Sequence, residues 1–139
     1  MIALPKVDLA TLPKLTAADV RLLWVDDWYD GPLEAMVEHQ GERCLMVLYD
    51  RPVARSDADE YRWLLVRLTP EQQAEEERWH TLFAQHVGEH WCLHADQPHG
   101  FPADTTRDPQ LFYGPHAARG ELDLTANTAL GWLDELPAA

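Results

Sequence analysis

Residues 33–50 read LEAMVEHQGERCLMVLYD, with two runs of strand-forming residues on either side of a Gln40-Gly41 turn. Apolar and polar side chains largely alternate in residues 33–39, as they do in a strand with one buried face. Residues 44–49 are almost continuously apolar, which indicates a central strand. Because glycine readily adopts the positive φ that a tight turn requires, the segment predicts an antiparallel hairpin.

Further strand-forming runs flank this hairpin. Residues 20–26 precede it and are separated from it by Asp30-Gly31-Pro32, a strong turn signal. Residues 60–68 follow it after a polar loop. Connections of this length are usual between neighbouring strands, so residues 20–68 are expected to form an antiparallel meander of about four strands.

The spacing of the apolar residues changes after residue 68. Thr69 is a suitable helix N-cap, Pro70 suits the first helical position, and Gly88 is a typical C-terminal stop. Between them the apolar residues recur mainly at intervals of three and four, which predicts one long amphipathic helix over residues 69–88. We expect its apolar stripe to pack on one face of the sheet, which gives an α+β fold.

The two ends of the chain are less regular. Residues 1–15, which contain two prolines, are expected to form an extended arm. Residues 94–121 hold four prolines and three glycines, which predicts a long irregular loop. Residues 122–136 are expected to form a short C-terminal helix. Because the sequence has no internal repeat and no low-complexity linker, residues 1–139 are interpreted as a single domain.

The composition is strongly acidic. Twenty-four Asp and Glu residues face eleven Lys and Arg residues, a formal net charge of −13 at pH 7. Nucleic acids and anionic lipids bind cationic surfaces, so this charge disfavours both, whereas it would attract a basic protein. No stretch approaches the roughly 20 apolar residues of a membrane span. The sequence is therefore typical of an acidic bacterial protein of the cytoplasm.

The segment that follows the first strand combines aromatic residues with carboxylates. Trp28 and Tyr29 offer rigid contact area, and the acidic residues around them would pair with basic groups of a partner, as in a binding hot spot and its rim. The predicted partner-binding residues are Asp26, Asp27, Trp28, Tyr29, Asp30 and Glu34. The alternative is structural: a turn whose aspartates bind backbone N–H groups while the aromatic rings join the core.

A second cluster, near the end of the predicted helix, has the residue types of a metal site. Its members are His86, His90, Cys92 and His94. The histidines lie four residues apart, and imidazole and thiolate are ligands for zinc or another transition metal. Gly88 interrupts the helical face between the first two members, so we expect ordinary surface histidines and no cofactor, with the zinc or transition-metal site as the alternative.

The sequence offers no coherent catalytic set. Ser56 is its only serine and lacks the glycines of a nucleophile elbow, and the scattered glycines form no phosphate-binding loop. We therefore expect a small acidic protein-binding module, such as an immunity-type or antitoxin-type inhibitor or a regulatory adaptor of a basic partner. The alternatives are a metal-binding enzyme or metal-responsive regulator, and a homodimer formed through exposed strand edges.

Overall fold

The computed structural model describes residues 2–28, 32–50, 61–88 and 107–137, and at positions 27, 28, 32 and 33 it describes the backbone alone. The chain divides into two compact units, Met1–Thr69 with Leu122–Ala139, and Pro70–Glu121. A compact unit is defined by its internal contacts, whereas a domain is defined by its ability to fold alone. The single domain that the sequence suggests therefore stays a prediction.

The first unit is built on β-strands. Its strands are β1 (Ile2–Ala3), β2 (Arg21–Trp28), β3 (Pro32–His39), β4 (Glu42–Asp50), β5 (Arg62–Arg67), β6 (Leu122–Asp123) and β7 (Ala129–Leu133). Within the described residues, five of them form an antiparallel sheet in the order β2-β3-β4-β5-β7, and β1 pairs with β6 in parallel. The predicted meander of about four strands is confirmed as β2 to β5, and β7 extends it by one strand.

The β3–β4 hairpin turns on two residues with left-handed backbone conformations. The φ angle is 52° at Gln40 and 77° at Gly41. Two consecutive positive φ angles are those of a type I′ turn, whose twist matches the twist of the paired strands. The resulting register sets His39 opposite Glu42 and Val37 opposite Cys44. The hairpin predicted from the sequence is therefore confirmed.

Strand β4 lies in the middle of the sheet, and its central residues are buried on both faces. Cys44 and Met46 belong to one apolar cluster, whereas Leu45 and Val47 belong to another. Successive side chains of a strand point to opposite faces, so each face of the sheet carries its own core. This two-sided burial explains why the sequence of β4 is almost continuously apolar.

The C-terminal segment forms strands, so the predicted short helix over residues 122–136 is wrong. Thr125 and Asn127 have the residue types of helix caps, but their side chains form hydrogen bonds with other parts of the chain. The backbone N–H and the hydroxyl of Thr125 both donate to the Asp123 carboxylate, at 2.9 and 2.6 Å, which makes a turn. Asn127 Nδ2 donates to the backbone oxygen of Arg67 at 2.8 Å. These bonds place the chain beside β5. The residues that follow then form backbone hydrogen bonds with β5 and become the strand β7.

The N-terminal arm, residues 1–15, is only partly extended. It contains a 3-10 turn at Leu9–Thr11, and Leu9 is buried. Near its end, the Leu15 N–H donates to the Trp132 oxygen at 2.7 Å and the Trp132 N–H donates to the Pro13 oxygen at 3.0 Å. The arm therefore covers the outer edge of β7 with its own backbone.

The other edge of the sheet is β2, and its pairing is irregular. The register between β2 and β3 shifts between Leu22 and Trp24 and again between Val25 and Asp27. Such shifts mark β-bulges, which twist an edge strand and hinder the addition of a further strand. Within the described residues, each edge of the sheet thus has a feature that opposes edge-to-edge pairing, and the homodimer stays a prediction.

The second unit begins with helix α1 (Pro70–His86). Pro70 is its first residue, as predicted, and Gly88 follows its end with a φ of 114°, a conformation that favours glycine. The Gly88 N–H donates to the Phe83 oxygen at 2.9 Å, which satisfies a carbonyl of the last turn. The long helix predicted over residues 69–88 is confirmed, and its packing on the sheet stays a prediction.

Helix α1 buries a carboxylate that the spacing of its apolar residues does not predict. Glu76 is 2% exposed, compared with 8% for Trp79. Its carboxylate accepts a hydrogen bond from the guanidinium of Arg119, whose side chain is 11% exposed. The same guanidinium lies 3.8 Å from the Glu75 carboxylate and 5.6 Å from the ring centroid of Trp79. A buried ion pair beside an aromatic ring therefore joins the helix to the segment that ends the unit.

A second helix, α2 (Gln110–Ala117), lies within the segment predicted to be an irregular loop. The prediction for residues 94–121 is wrong at these positions, and residues 94–106 lie outside the described part of the chain. Gly114 and Pro115 are typical of loops, which explains the error. Aromatic packing stabilises the helix instead, because the Phe112 ring lies 5.1 Å from the ring of Phe83 on α1.

Candidate functional site

The predicted partner-binding residues lie around the connection between β2 and β3. Asp26 is half-buried, and its Oδ1 accepts a hydrogen bond from Trp24 Nε1 at 3.0 Å. The backbone register sets Asp27 directly opposite Glu34. Tyr29 and Asp30 lie outside the described residues, and Trp28 is described by its backbone alone, at the end of β2. The structure therefore brings Asp26, Asp27 and Glu34 to the same end of two paired strands.

Negative charge is concentrated in this part of the chain. Residues 22–37 include four acidic residues and no lysine or arginine. Acidic residues at directly paired positions, such as Asp27 and Glu34, are unfavourable for strand pairing. A cationic group placed between the strands would remove this cost, so the β2–β3 end of the sheet is suited to a basic ligand.

The opposite end of the same strands has a different charge pattern, because arginines alternate there with acidic residues. The Arg21 guanidinium lies 3.3 Å from the Glu38 carboxylate across β2 and β3. The Arg67 guanidinium lies 2.8 Å from the Glu42 carboxylate across β4 and β5. The charges of these two pairs are therefore balanced within the sheet.

The predicted metal cluster falls almost entirely outside the described residues. His86 is the last residue of α1 and is half-buried. His90, Cys92 and His94 lie outside the described part of the chain. The structure therefore does not test the zinc or transition-metal site, which stays a prediction.

A polar cleft that the sequence did not predict lies at the β3–β4 hairpin. Its volume is about 290 Å³, and its polar lining residues are Asp19, His39, Gln40, Glu42 and Arg67. The hairpin signal alone would have found part of it, since His39 and Glu42 flank the turn and become register partners. Asp19 and Arg67 reach the cleft through tertiary structure, and no local pattern relates them to the hairpin.

The carboxylate of Asp19 is held by the turn that precedes β2. Its Oδ2 accepts hydrogen bonds from the backbone N–H of Thr16 at 2.7 Å and from the Thr16 hydroxyl at 3.0 Å. These bonds, the backbone one first, lower the pKa of Asp19, and the nearby His39 contributes in the same direction. Asp19 is therefore ionised at neutral pH and supplies a fixed negative charge at the rim of the cleft.

Cys44 lies two residues beyond Glu42 in β4, on the same face of the sheet, and is fully buried. Burial, and secondarily the charge of Glu42, raise the pKa of the Cys44 thiol to about 11. A thiol with so little thiolate at neutral pH is a poor nucleophile and a poor metal ligand. Cys44 is therefore a structural residue, as its place in the most apolar strand suggests.

We expect Cys44 to resist alkylation in the native protein and to make stability depend on alkaline pH. In a Cys92→Ser variant at pH 8, iodoacetamide should modify Cys44 only as fast as the chain unfolds. The folded state retains a proton that an unfolded thiol loses near pH 9, so the free energy of unfolding should fall as the pH rises from about 9 to about 11. Denaturant titrations across this range measure the effect, and Cys44→Ala should reduce it. Rapid alkylation of the folded protein would contradict the burial of this thiol.

Comparison of the chain with protein-family models, with curated proteins and with solved structures finds no match. Among the described residues, no helix is both long and apolar enough to cross a membrane.

Proposed function

We propose that this chain is an acidic protein-binding module that covers a basic partner, and that the β2–β3 end of the sheet is its binding surface. The observation that carries the proposal is the placement of Asp26, Asp27 and Glu34 at the same end of two paired strands, within residues 22–37, which contain no lysine or arginine. Trp28 and Tyr29 directly follow Asp27 in the sequence, and they have the residue types of binding hot spots.

Charge outside this surface supports the same proposal. The unit Pro70–Glu121 carries nine acidic residues and three arginines, so it also contributes to the net charge of −13. A field of one sign steers an oppositely charged protein towards the surface and speeds association. Inhibitors of basic toxins and adaptors of basic enzymes both require this property, and the proposal places both proteins in the cytoplasm.

We expect the substitution Asp27→Lys to slow association with the basic partner by about tenfold, because it reverses one charge at the centre of the acidic surface. The partner would first be identified by affinity capture with the tagged protein at low and high salt. Association and dissociation rates of the purified pair would then be measured by surface plasmon resonance. Glu121→Lys is the matched control, since Glu121 is exposed and lies in the other unit.

The two charge reversals change the net charge equally, so a difference between the association rates of the two variants locates the binding surface. Slower association with Asp27→Lys alone supports the β2–β3 surface. Equal effects of both substitutions would reduce the role of this surface to general electrostatic attraction. Capture that is independent of salt and of both substitutions would refute the proposal.

A further inference from the structure

The cleft at the β3–β4 hairpin is built from two kinds of wall. Three neighbouring strands each contribute one polar residue: His39 from β3, Glu42 from β4 and Arg67 from β5. Pro13 and Leu15 of the N-terminal arm also line the cleft. The volume of about 290 Å³ is close to the lower limit of small-molecule pockets, roughly 300 Å³.

The imidazole of His39 has a defined orientation in this cleft. Its Nδ1 lies 3.0 Å from the backbone oxygen of Asp19. A carbonyl oxygen can only accept a hydrogen bond, so Nδ1 carries a proton, and Nε2 can accept a hydrogen bond when the ring carries no second proton. Within the described residues, Nε2 has no hydrogen-bond partner, and His39 lines the cleft.

Arg67, which also lines the cleft, has unused hydrogen-bonding capacity. Its Nε and Nη2 donate to the two oxygens of Glu42 at 2.8 and 3.4 Å. A guanidinium has five N–H donors, so donors remain for a further acceptor. The backbone of Arg67 is fixed, because its N–H donates to the Thr128 oxygen at 2.9 Å and its own oxygen accepts from Asn127 at 2.8 Å.

The turn residue at the mouth of the cleft is conformationally strained. Gln40 has a φ of 52°, a region that non-glycine residues seldom occupy and in which asparagine or glycine is preferred. Strained residues of this kind occur often at ligand sites, where a side chain is retained at the expense of local stability. Gln40 places an amide at the cleft, which can both donate and accept hydrogen bonds.

We propose that this cleft binds a free α-amino acid with an apolar side chain. The ligand carboxylate would bind the remaining donors of Arg67, and its ammonium group would bind His39 Nε2 and the Glu42 carboxylate. Leu15, Leu130 and Pro13 supply the apolar surface for its side chain. A simple anion is disfavoured by the carboxylates of Asp19 and Glu42, and a simple cation is disfavoured by the guanidinium of Arg67, so a zwitterion fits the charges best.

The proposal can be tested by titrating the isotope-labelled protein with L-leucine and following its amide resonances. We expect saturable shifts of Gln40, Gly41 and the Arg67 side chain at ligand concentrations up to about 10 mM, the range of weak small-molecule binding. Leucine methyl ester lacks the carboxylate and N-acetyl-leucine lacks the ammonium group. Each should bind about tenfold more weakly, because each loses a hydrogen bond to a charged group.

Two arginine substitutions locate the site. Arg67→Gln should weaken leucine binding by about tenfold, whereas Arg21→Gln should leave it unchanged. Arg21 is a matched control because it also forms an exposed ion pair with a glutamate on a neighbouring strand. His39→Gln should weaken binding of leucine more than binding of N-acetyl-leucine, which has no ammonium group. Absence of saturable shifts, or equal binding of leucine and its two analogues, would overturn the proposal.

Discussion

Replacing Glu76 by alanine is expected to lower the free energy of unfolding by about 3–5 kcal/mol, the usual cost of removing one member of a buried ion pair. Glu76 is 2% exposed and the Arg119 side chain is 11% exposed, so the substitution leaves a guanidinium in a poorly hydrated place. Glu75, at 3.8 Å from the same guanidinium, is too far away to replace the lost hydrogen bond fully. Urea titrations of the purified variant measure the change.

Two further variants separate the buried charge from the loss of side-chain atoms. Glu38→Ala breaks an exposed ion pair with Arg21 and should cost at most about 1 kcal/mol. The double variant Glu76→Met, Arg119→Met removes both charges and keeps similar volumes, so it should recover most of the stability lost in Glu76→Ala. A double variant as unstable as Glu76→Ala would show that packing, and not the unpaired charge, determines the cost.

The central part of the fold could be predicted because several local signals agree there. The Gln40-Gly41 turn fixes the register of the hairpin, and the apolar run that begins at Cys44 identifies a strand with a core on each face. The start of helix α1 at Pro70 follows from the restricted φ of proline, and its end follows from the φ of 114° at Gly88. Each of these features depends on residues that are close together in the sequence.

The features that were missed depend on partners that are distant in the sequence. The strand β7 forms because β5 offers it backbone hydrogen bonds, and the register sets Leu65 opposite Gly131. Nothing in the local pattern of residues 122–136 reveals this pairing. In the same way, Glu76 is buried because Arg119, 43 positions later, supplies its hydrogen bond. A charged residue within a helix is normally predicted to be exposed.

The candidate sites also differ in whether their residues are close together or far apart in the sequence. The acidic segment around the connection of β2 and β3 is visible in the sequence because its residues are close together, and the structure adds the pairing of Asp27 with Glu34. The hairpin cleft combines Asp19, His39 and Arg67 from three separate segments, so only the fold reveals it. Its function as an amino-acid site and the function of the acidic surface are therefore independent, and each proposal can fail alone.

Gly131 is the residue at which the N-terminal arm and strand β7 approach most closely. A Cβ atom at this position would lie 2.9 Å from the backbone oxygen of Pro13 and 3.0 Å from side-chain atoms of Leu15. Real Cβ atoms are essentially never found closer than 3.0 Å to another heavy atom, and a backbone oxygen cannot rotate away as a side chain can. We therefore expect Gly131→Ala to destabilise the protein by roughly 2–3 kcal/mol, the upper range for overpacking a well-packed site.

The loss should be concentrated where the arm meets β7. The Leu15 N–H and the Trp132 N–H bind across this junction, at 2.7 and 3.0 Å, and both bonds must lengthen if the arm is displaced. Hydrogen exchange of these two amides should accelerate more than that of Leu45 in the centre of the sheet, which exchanges by global unfolding. In a Leu15→Ala background the added methyl group no longer meets Cγ and Cδ1 of Leu15, so the further cost of Gly131→Ala should be smaller. The opposite result would be a uniform acceleration of exchange at all three amides, with the same loss of unfolding free energy in both backgrounds. It would mean that the protein accommodates the alanine without displacing the arm, and that the arm residues lining the hairpin cleft keep their place without Gly131.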